Sequence, residues 1–533
     1  MITNSKEIIN LILTEIMPFT TESAKQMTIK RKEAKEKRRL RAKEAAKARL
    51  SEPKIKKEDK IKNIKPEASS SNKMDFRGKI ITSRLIWLDE SFQENVFIKI
   101  DKEGKIEEIM KKDEKMNERK IENFGEIALL PGFVNAHSHA FHRELRGLSQ
   151  IGNIGADNFW KWRQNMYKLV EDIDYEKLKK ICINTFSEML SAGITAVGEF
   201  HYVHHSNKFP DGQFGLDMAV VEAAYEVGIR LVFIETLYMR AGFSQSDINP
   251  EQWRFASKTV DQFIEYVDGL RGELKNFKNC NDLVTIALAV HSLRAVPVPE
   301  ARKLYQYALQ NNLPLHLHLE EQPAELENCR VVHKGKDPGD VLLEDVLENE
   351  GAERINNSLI TAVHCTHSKR SNLDEFVKRK INVCVCPCTE GYLGDGIPNL
   401  NEFDNICLGT DCNNRIGISL NFLIIIFLAM LEEMRWLAFC QNMRTNSRNC
   451  ASLNAQKLFK CATINGAKSL GISSKIGDCC VGKQFDFFGI NLNSNKLKEF
   501  CDGERLLDSL IFGGGNDEIL MTGIGGIVKF NKN

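Results

Sequence analysis

The chain lacks the features that would send it out of the cell or across a membrane. No leading apolar segment of the secretory kind is present, and the fifteen cysteines show no spaced disulfide framework. The apolar run Gly417 to Ala429 (GISLNFLIIIFLA) falls short of the ~18 residues that a membrane span needs. A disulfide-stapled secreted scaffold and a helical membrane protein are therefore excluded as readings, and the expectation is a cytoplasmic protein in a reducing compartment, without disulfides. Net charge is almost absent too, at +1, so the chain as a whole is not a polycation seeking nucleic acid.

What is there suits a soluble globular protein. With 533 residues, 42% hydrophobic and 27% charged, the chain can bury one large core or two ordinary ones. The near-zero charge hides an asymmetry: residues 1–72 hold 19 Lys and Arg against 10 Asp and Glu, leaving 54 against 62 for the remainder. Within this leader, Lys30 to Arg49 (KRKEAKEKRRLRAKEAAKAR) has strong helix formers but almost no apolar face, and a polar Ser69-Ser70-Ser71 tract follows. It reads as a solvated, disordered or partly helical appendage. A nuclear address or a weak nucleic-acid contact is the alternative, to be tested by salt-dependent binding before and after deletion of 1–72. Met74 opens the first strand-like sequence, which raises an alternative start at that codon.

From Met74 to about Glu126 the pattern becomes short alternating runs, Lys79 to Trp87 and Val96 to Asp101 among them, with glycine at the turns. Similar runs return at Phe485 to Ile490, Ser509 to Phe512 and Gly526 to Phe530, so the two ends are expected to form one small β domain. The middle alternates strand and helix signals. Strand-like runs end at His139, His201, Leu237, His291, Glu321, His364, Glu390 and Asp411, separated by helical stretches such as Tyr175 to Ala192, Pro299 to Gln310 and Gly339 to Glu348. Eight strands is the count of a (β/α)8 barrel of the TIM type. The expected division is a basic leader over 1–73, the small domain over 74–130 and 471–533, and a barrel over 131–470. The fold class is thus α/β, with a small β-sandwich made by the two ends of the chain.

Most of these strands end in a polar or ionisable residue: His137 and His139, Glu199 and His201, His291, His318 and Glu321, His364, Thr389 and Glu390, and Asp411. Barrel active sites form at the strands' C-terminal ends, so these side chains should converge. Burying so many titratable groups is costly unless a metal or mutual hydrogen bonds compensate. Two histidines two apart on a strand point the same way, which makes His137-Ser-His139 half of a metal site. The best ligand set is His137, His139, His318 and Asp411, suited to Zn2+ or Fe2+ with a position left for water. The metal would lower that water's pKa towards ~7. Glu321 would shuttle protons, His364 polarise the reacting group and Asp411 take the water's proton. His316 is expected to be a satisfied core group, and His204, His205, His333 and His367 structural or exposed. Cys384, Cys386 and Cys388 share a strand face without zinc-knuckle spacing, so packing is expected of them.

At these residues the chain resembles a known family. PGFVNAHSHAFHRELRG, FWKWRQNMY, EMLSAGITAVGEFHYVHH, HSLRAV, LPLHLHLEEQ, VHCTH, TEGYLGDGIPNL and GTD are similar to the amidohydrolase superfamily, and within it to the formimidoylglutamate deiminases, over roughly residues 76–530. The resemblance implies hydrolysis of the C=N carbon of N-formimino-L-glutamate by metal-activated water, giving N-formyl-L-glutamate and ammonia in histidine degradation. It implies a single metal, Zn2+ or Fe2+, a dianionic small-molecule substrate and a homodimer. By position in the motifs, Arg163, Tyr202 and Arg294 would bind the two carboxylates, with His291 near the amidine. For Arg163 the alternative is a surface helix residue beside Trp160 and Trp162.

Two departures from the family stand out. His142 occupies a position where the family usually has Gln, which bears on substrate contacts. The run Gly417 to Ala429 interposes before Met430-Leu-Glu-Glu-Met-Arg-Trp, as a retained intron would, and transcript sequencing across codons 410 to 435 tests this. A guanine or other cyclic-amidine deaminase or chlorohydrolase-like enzyme, and a non-catalytic assembly protein, are the competing functions.

Overall fold

A computed structural model describes residues 74–112, 120–148, 158–206, 214–277, 283–347, 359–400, 403–414, 429–448 and 452–532. The basic leader and nearly all of the apolar run Gly417 to Ala429 lie outside these. No helix among the described residues is long and apolar enough to cross a membrane.

The central strands are β1 (Phe133–His139), β2 (Ile194–His201), β3 (Arg230–Leu237), β4 (Val284–Ser292), β5 (Leu315–Leu319), β6 (Ile360–His364), β7 (Asn382–Val385) and β8. The last is split into Ile406–Leu408 and Asp411–Cys412. Neighbours pair in parallel from β1 through β8. The split closes the ring: Ile406–Leu408 pairs with β7, while Asp411–Cys412 pairs with β1, Asp411 against Ser138. The chain therefore forms a TIM-type α/β barrel. Its strands are buried on both faces, so they read as nearly continuous apolar runs.

The helices between strands are fixed by ordinary signals. Asp174 caps the helix Tyr175–Ser191 by accepting from the Lys177 amide, and Thr259 caps Val260–Asn276 by accepting from Gln262. Two smaller sheets come from both flanks of the barrel sequence. One orders Ile106–Lys111, Val96–Ile100, Ile80–Thr82 and Ile121–Asn123 side by side; the other holds Ile127–Pro131, Leu85–Leu88 and Ser91–Gln93 with Phe487–Asn491, Ile519–Ile524 and Ile527–Asn531. They share an apolar core in which Ile81, Ile98 and Leu129 meet Phe485, Phe487 and Met521.

Several expectations change. Ser509 to Phe512 is not a strand: Leu506–Gly513 is a helix with Leu506, Leu507, Leu510 and Ile511 buried at helical spacing, and Arg435 Nη2 donates to the Gly514 carbonyl at its end (2.6 Å). Thr389 and Glu390 lie in the helix Pro387–Leu393, because Pro387 ends the β7 pairing and starts a helix. Cys388 goes with them, so it shares no strand face with Cys384; Cys384, Cys386 and Cys407 pack instead with Ala136 and Val363. All cysteines among the described residues are free.

Candidate active site

At the C-terminal ends of the strands, four donors meet. His139 Nε2 lies 3.3 Å and His137 Nε2 3.5 Å from Asp411 Oδ1, and His318 Nε2 lies 3.2 Å from His137 Nε2. The His137 and His139 rings approach because residues i and i+2 of a strand project to one side. Their footing is a buried chain of hydrogen bonds across the β1/β8 seam. Asn135 Nδ2 donates to Thr410 Oγ1 (2.7 Å), Thr410 N to Asn135 Oδ1 (2.9 Å), and Thr410 Oγ1 to Asn413 Oδ1 (2.8 Å). Asn413 Nδ2 in turn donates to Ser138 Oγ and the His139 carbonyl, and Ser138 Oγ to Glu199 Oε2 (2.7 Å). Gly409 lets the two strands close: a Cβ there would stand 2.7 Å from His137 Cβ. Asp411 itself has φ 47°, and His364 and Glu320 at neighbouring strand ends have φ 76° and 54°. Such left-handed non-glycine residues cost of order 1–3 kcal/mol each and gather at functional sites.

The donor set fits a divalent cation. His139 Nδ1 donates to the Phe200 carbonyl (2.8 Å) and His318 Nδ1 to the His291 carbonyl (2.9 Å), which leaves each Nε2 as a bare lone pair aimed into the cluster. Burial pushes His137 down to about 3 and keeps His139 and His318 below the ordinary histidine range, so all three are neutral at pH 7. Burial also works against the Asp411 anion, but its hydrogen bond with His137 and the neighbouring imidazoles of His139 and His364 hold it well below the usual carboxylate range. Three imidazoles and one carboxylate converging at these distances could hold a divalent metal ion of the zinc type.

Around this cluster lies a recess lined by His139, His142, Arg163, Tyr202, His291, Arg294, His318, Glu321, His364 and Asp411. His137 forms part of the cluster beneath, so the structure brings together the expected metal ligands, the proton-transfer candidates and the expected substrate-binding residues. His364 Nδ1 is 3.4 Å from Glu390 Oε1 and its Nε2 3.9 Å from Glu321 Oε1. Burial opposes its charged form, yet the charge of Glu321 and the hydrogen bond with Glu390 raise it well above the ordinary range, so it is an imidazolium. Arg163 is no free surface residue: its Nε donates to Tyr167 Oη (2.7 Å) and Nη2 approaches Tyr238 Oη (3.4 Å). Arg294 Nε is buried with no hydrogen-bond partner among the described residues. His142 Nε2 lies 3.1 Å from Tyr202 Oη.

Two expected members are absent. Glu199 and His201 turn away from the recess, because strand alternation gives that face to Phe200 and Tyr202; the Phe200 ring lies 4.5 Å from His318. Glu199 instead receives Ser138 Oγ and the Ala140 amide, fixing the turn after His139, and burial pushes it up to about 8. His316 sits inside the barrel with Nε2 donating to the Ser469 carbonyl (3.2 Å), a core group as expected, but only half satisfied, its Nδ1 being buried without a hydrogen-bond partner among the described residues. The sequence reading missed Trp162, Tyr167 and Tyr238, which also line the recess. Tyr238 directly follows β3, so the strand-end rule would have found it.

Known proteins resemble the chain over this same region. The model of the amidohydrolase family matches residues 128–528. The formimidoylglutamate deiminase of Pseudomonas aeruginosa is 31% identical, the match covering 81% of this chain and 90% of that protein. A 5-methylthioadenosine/S-adenosylhomocysteine deaminase of Pyrococcus furiosus is 27% identical over 74% of this chain and 82% of its own length. Among solved structures, an amidohydrolase from Brucella melitensis superposes with a TM-score of 0.72 at 27% identity, covering 84% of this chain and 94% of the other.

Proposed function

The chain belongs to the amidohydrolase family, and from that premise we propose that it hydrolyses N-formimino-L-glutamate to N-formyl-L-glutamate and ammonia. One observation carries the choice of substrate. Two guanidinium groups, Arg163 and Arg294, and three tyrosines, Tyr167, Tyr202 and Tyr238, line the recess above the metal-binding cluster. Charge-assisted hydrogen bonds of this kind match a compound with two carboxylates, and a neutral purine would offer the two half-buried guanidinium groups no opposite charge.

His137, His139, His318 and Asp411 would hold one divalent cation, Zn2+ or Fe2+. Bound there, it would supply Lewis acidity towards water and the C=N group. The residues then divide the proton work. Asp411 takes a proton from water as the water oxygen bonds to the formimino carbon. That proton and the remaining hydroxyl proton pass through Glu321 to the former C=N nitrogen, the carbon–nitrogen bond breaks, and ammonia leaves with the formyl group remaining on the glutamate nitrogen. His364, charged between Glu321 and Glu390, offers a proton donor to the oxygen as it becomes a carbonyl. His291, kept neutral by burial and by Arg294 and Arg163, stands beside the amidine.

His142 favours a second reading, another amidine substrate, because its ring occupies the Tyr202 hydroxyl that a carboxylate would otherwise meet. Ammonia release from N-formimino-L-glutamate, guanine and 5'-methylthioadenosine by the metal-loaded chain separates the two. Turnover of the first compound is the expected result; its absence alongside turnover of a purine overturns the proposal.

A further inference from the structure

A second set of imidazole and carboxylate donors lies behind the barrel wall. His201 at the end of β2, His204 in the loop after it, Asp217 in the first turn of the helix Gly215–Val227 and Glu235 on β3 are all buried, Asp217 and Glu235 completely. His204 Nδ1 lies 3.1 Å from Asp217 Oδ1 and 3.4 Å from Glu235 Oε2, and His201 Nε2 lies 3.3 Å from Asp217 Oδ1. The His201, His204 and Asp217 donors all fall within 4.8 Å of one another.

As a pure hydrogen-bond network the group is badly satisfied. Both Glu235 oxygens and His201 Nε2 are buried without a hydrogen-bond partner among the described residues, an arrangement that costs several kcal/mol in a dry interior.

A cation would be shared by His201, His204 and Asp217, with Glu235 beside His204. Metal–ligand bonds of ~2.0–2.1 Å in a tetrahedron set ligand atoms roughly 3.3–3.4 Å apart, and the separations of 3.1, 3.3 and 3.4 Å are of that size. His204 has the second contact typical of a metal-bound imidazole: Nε2 donates to the Thr236 carbonyl (3.0 Å), turning Nδ1 into the cluster. Tyr266 Oη donates to the other Asp217 oxygen, so that carboxylate is oriented too. His204 also borders a surface recess with Phe214, Lys258, Phe263 and Tyr266, which gives an ion a way in.

We propose that His201, His204 and Asp217 form a second, structural zinc site behind the barrel wall, with the Glu235 carboxylate beside it. Its donors are completely or almost completely buried and come from β2, the loop after it and the helix Gly215–Val227, so its work is to tie these elements together. The segment it clamps contains Tyr202, whose ring faces His139 and His291 on the other side of the wall. The site is thereby a positioning device for one wall of the active-site recess.

The test counts zinc per chain by mass spectrometry on the full-length protein. A chain carrying His318→Ala and Asp411→Asn, which removes the barrel-mouth donors, should keep one zinc; adding Asp217→Asn should take it to none. No zinc in the first variant, or an unchanged content after Asp217→Asn, overturns the proposal. Where a variant does not fold, anomalous scattering at the zinc edge from crystals of the wild-type chain decides: a peak between His201, His204 and Asp217 supports the site, and none there overturns it. The outcome is independent of which substrate the barrel mouth hydrolyses.

Discussion

His137, His139, His318 and Asp411 sit inside the ring of strands, and His201, His204, Asp217 and Glu235 sit across the same wall, against the outer helices. The two groups use nearly the same donors and are equally hidden from water. Their surroundings differ. Above the inner group lie two arginines, three tyrosines, Glu321 and an imidazolium at His364; beside the outer group the recess at His204 carries Phe214, Phe263 and Tyr266 with Lys258 and no arginine. Burial of imidazole and carboxylate therefore marks a place for a cation, and only the charged shell beyond it marks a place for chemistry.

The comparison breaks most visibly at the two aspartates. Asp411→Asn keeps the volume of the side chain but removes the inner group's base, and should lower kcat by about 10²- to 10⁴-fold, the range of general acid–base catalysis. Steady-state ammonia release checks this. A variant with near-normal turnover would take Asp411 out of the reaction and leave the inner cluster no different in kind from the outer one.

How far the sequence foretells each group follows from strand geometry. The inner donors stand at the ends of apolar runs, where a barrel collects its functional residues, so His137, His139, His318, His364 and Asp411 were readable one strand at a time. The outer group was not, since its members come from a strand end, a loop, a helix turn and the middle of β3, and only the register of β2 with β3 brings Glu235 opposite His201. The same alternation misled the reading of Glu199 and His201 as recess residues, where Phe200 and Tyr202 in fact face. Periodicity was equally ambiguous for the short run Ser509 to Phe512, whose helical burial needs the partner helix to become evident.

The charged shell can be tested apart from the donors. Arg294→Ala removes a guanidinium whose Nε has no hydrogen-bond partner among the described residues. Its expected cost is about 1.5–3 kcal/mol of substrate binding, read as a KM raised roughly 10- to 100-fold for N-formimino-L-glutamate. An amide of the same compound, with one carboxylate neutralised, should lose much less on mutation. Equal losses for both would mean that Arg294 does not read substrate charge, and the distinction between the inner and outer groups would rest on Glu321 and His364 alone.

The inner shell should also carry a stability penalty that varies with pH. Glu325 lies behind Glu321, accepting its backbone amide, and burial pushes its carboxyl up to about 7 against an attraction to Arg294 that pulls it down. Its folded-state pKa is raised from 4.5, so below pH 4.5 both folded and unfolded forms are protonated and the group's contribution is intact. As pH rises the unfolded carboxyl ionises first while the folded one resists until about 7, so stability falls across the window from 4.5 to 7. A full shift of that size corresponds to about 3 kcal/mol at ~1.4 kcal/mol per pKa unit, and with water reaching the adjacent Glu321 we expect about 1 kcal/mol to be realised. Glu325→Gln cannot ionise and should abolish the effect. Urea midpoints at pH 5 and pH 7.5 then give a wild-type chain that weakens relative to Glu325→Gln at the higher pH; parallel behaviour of the two would mean that Glu325 stays ionised in the fold, and that the inner shell holds its carboxylates at no cost.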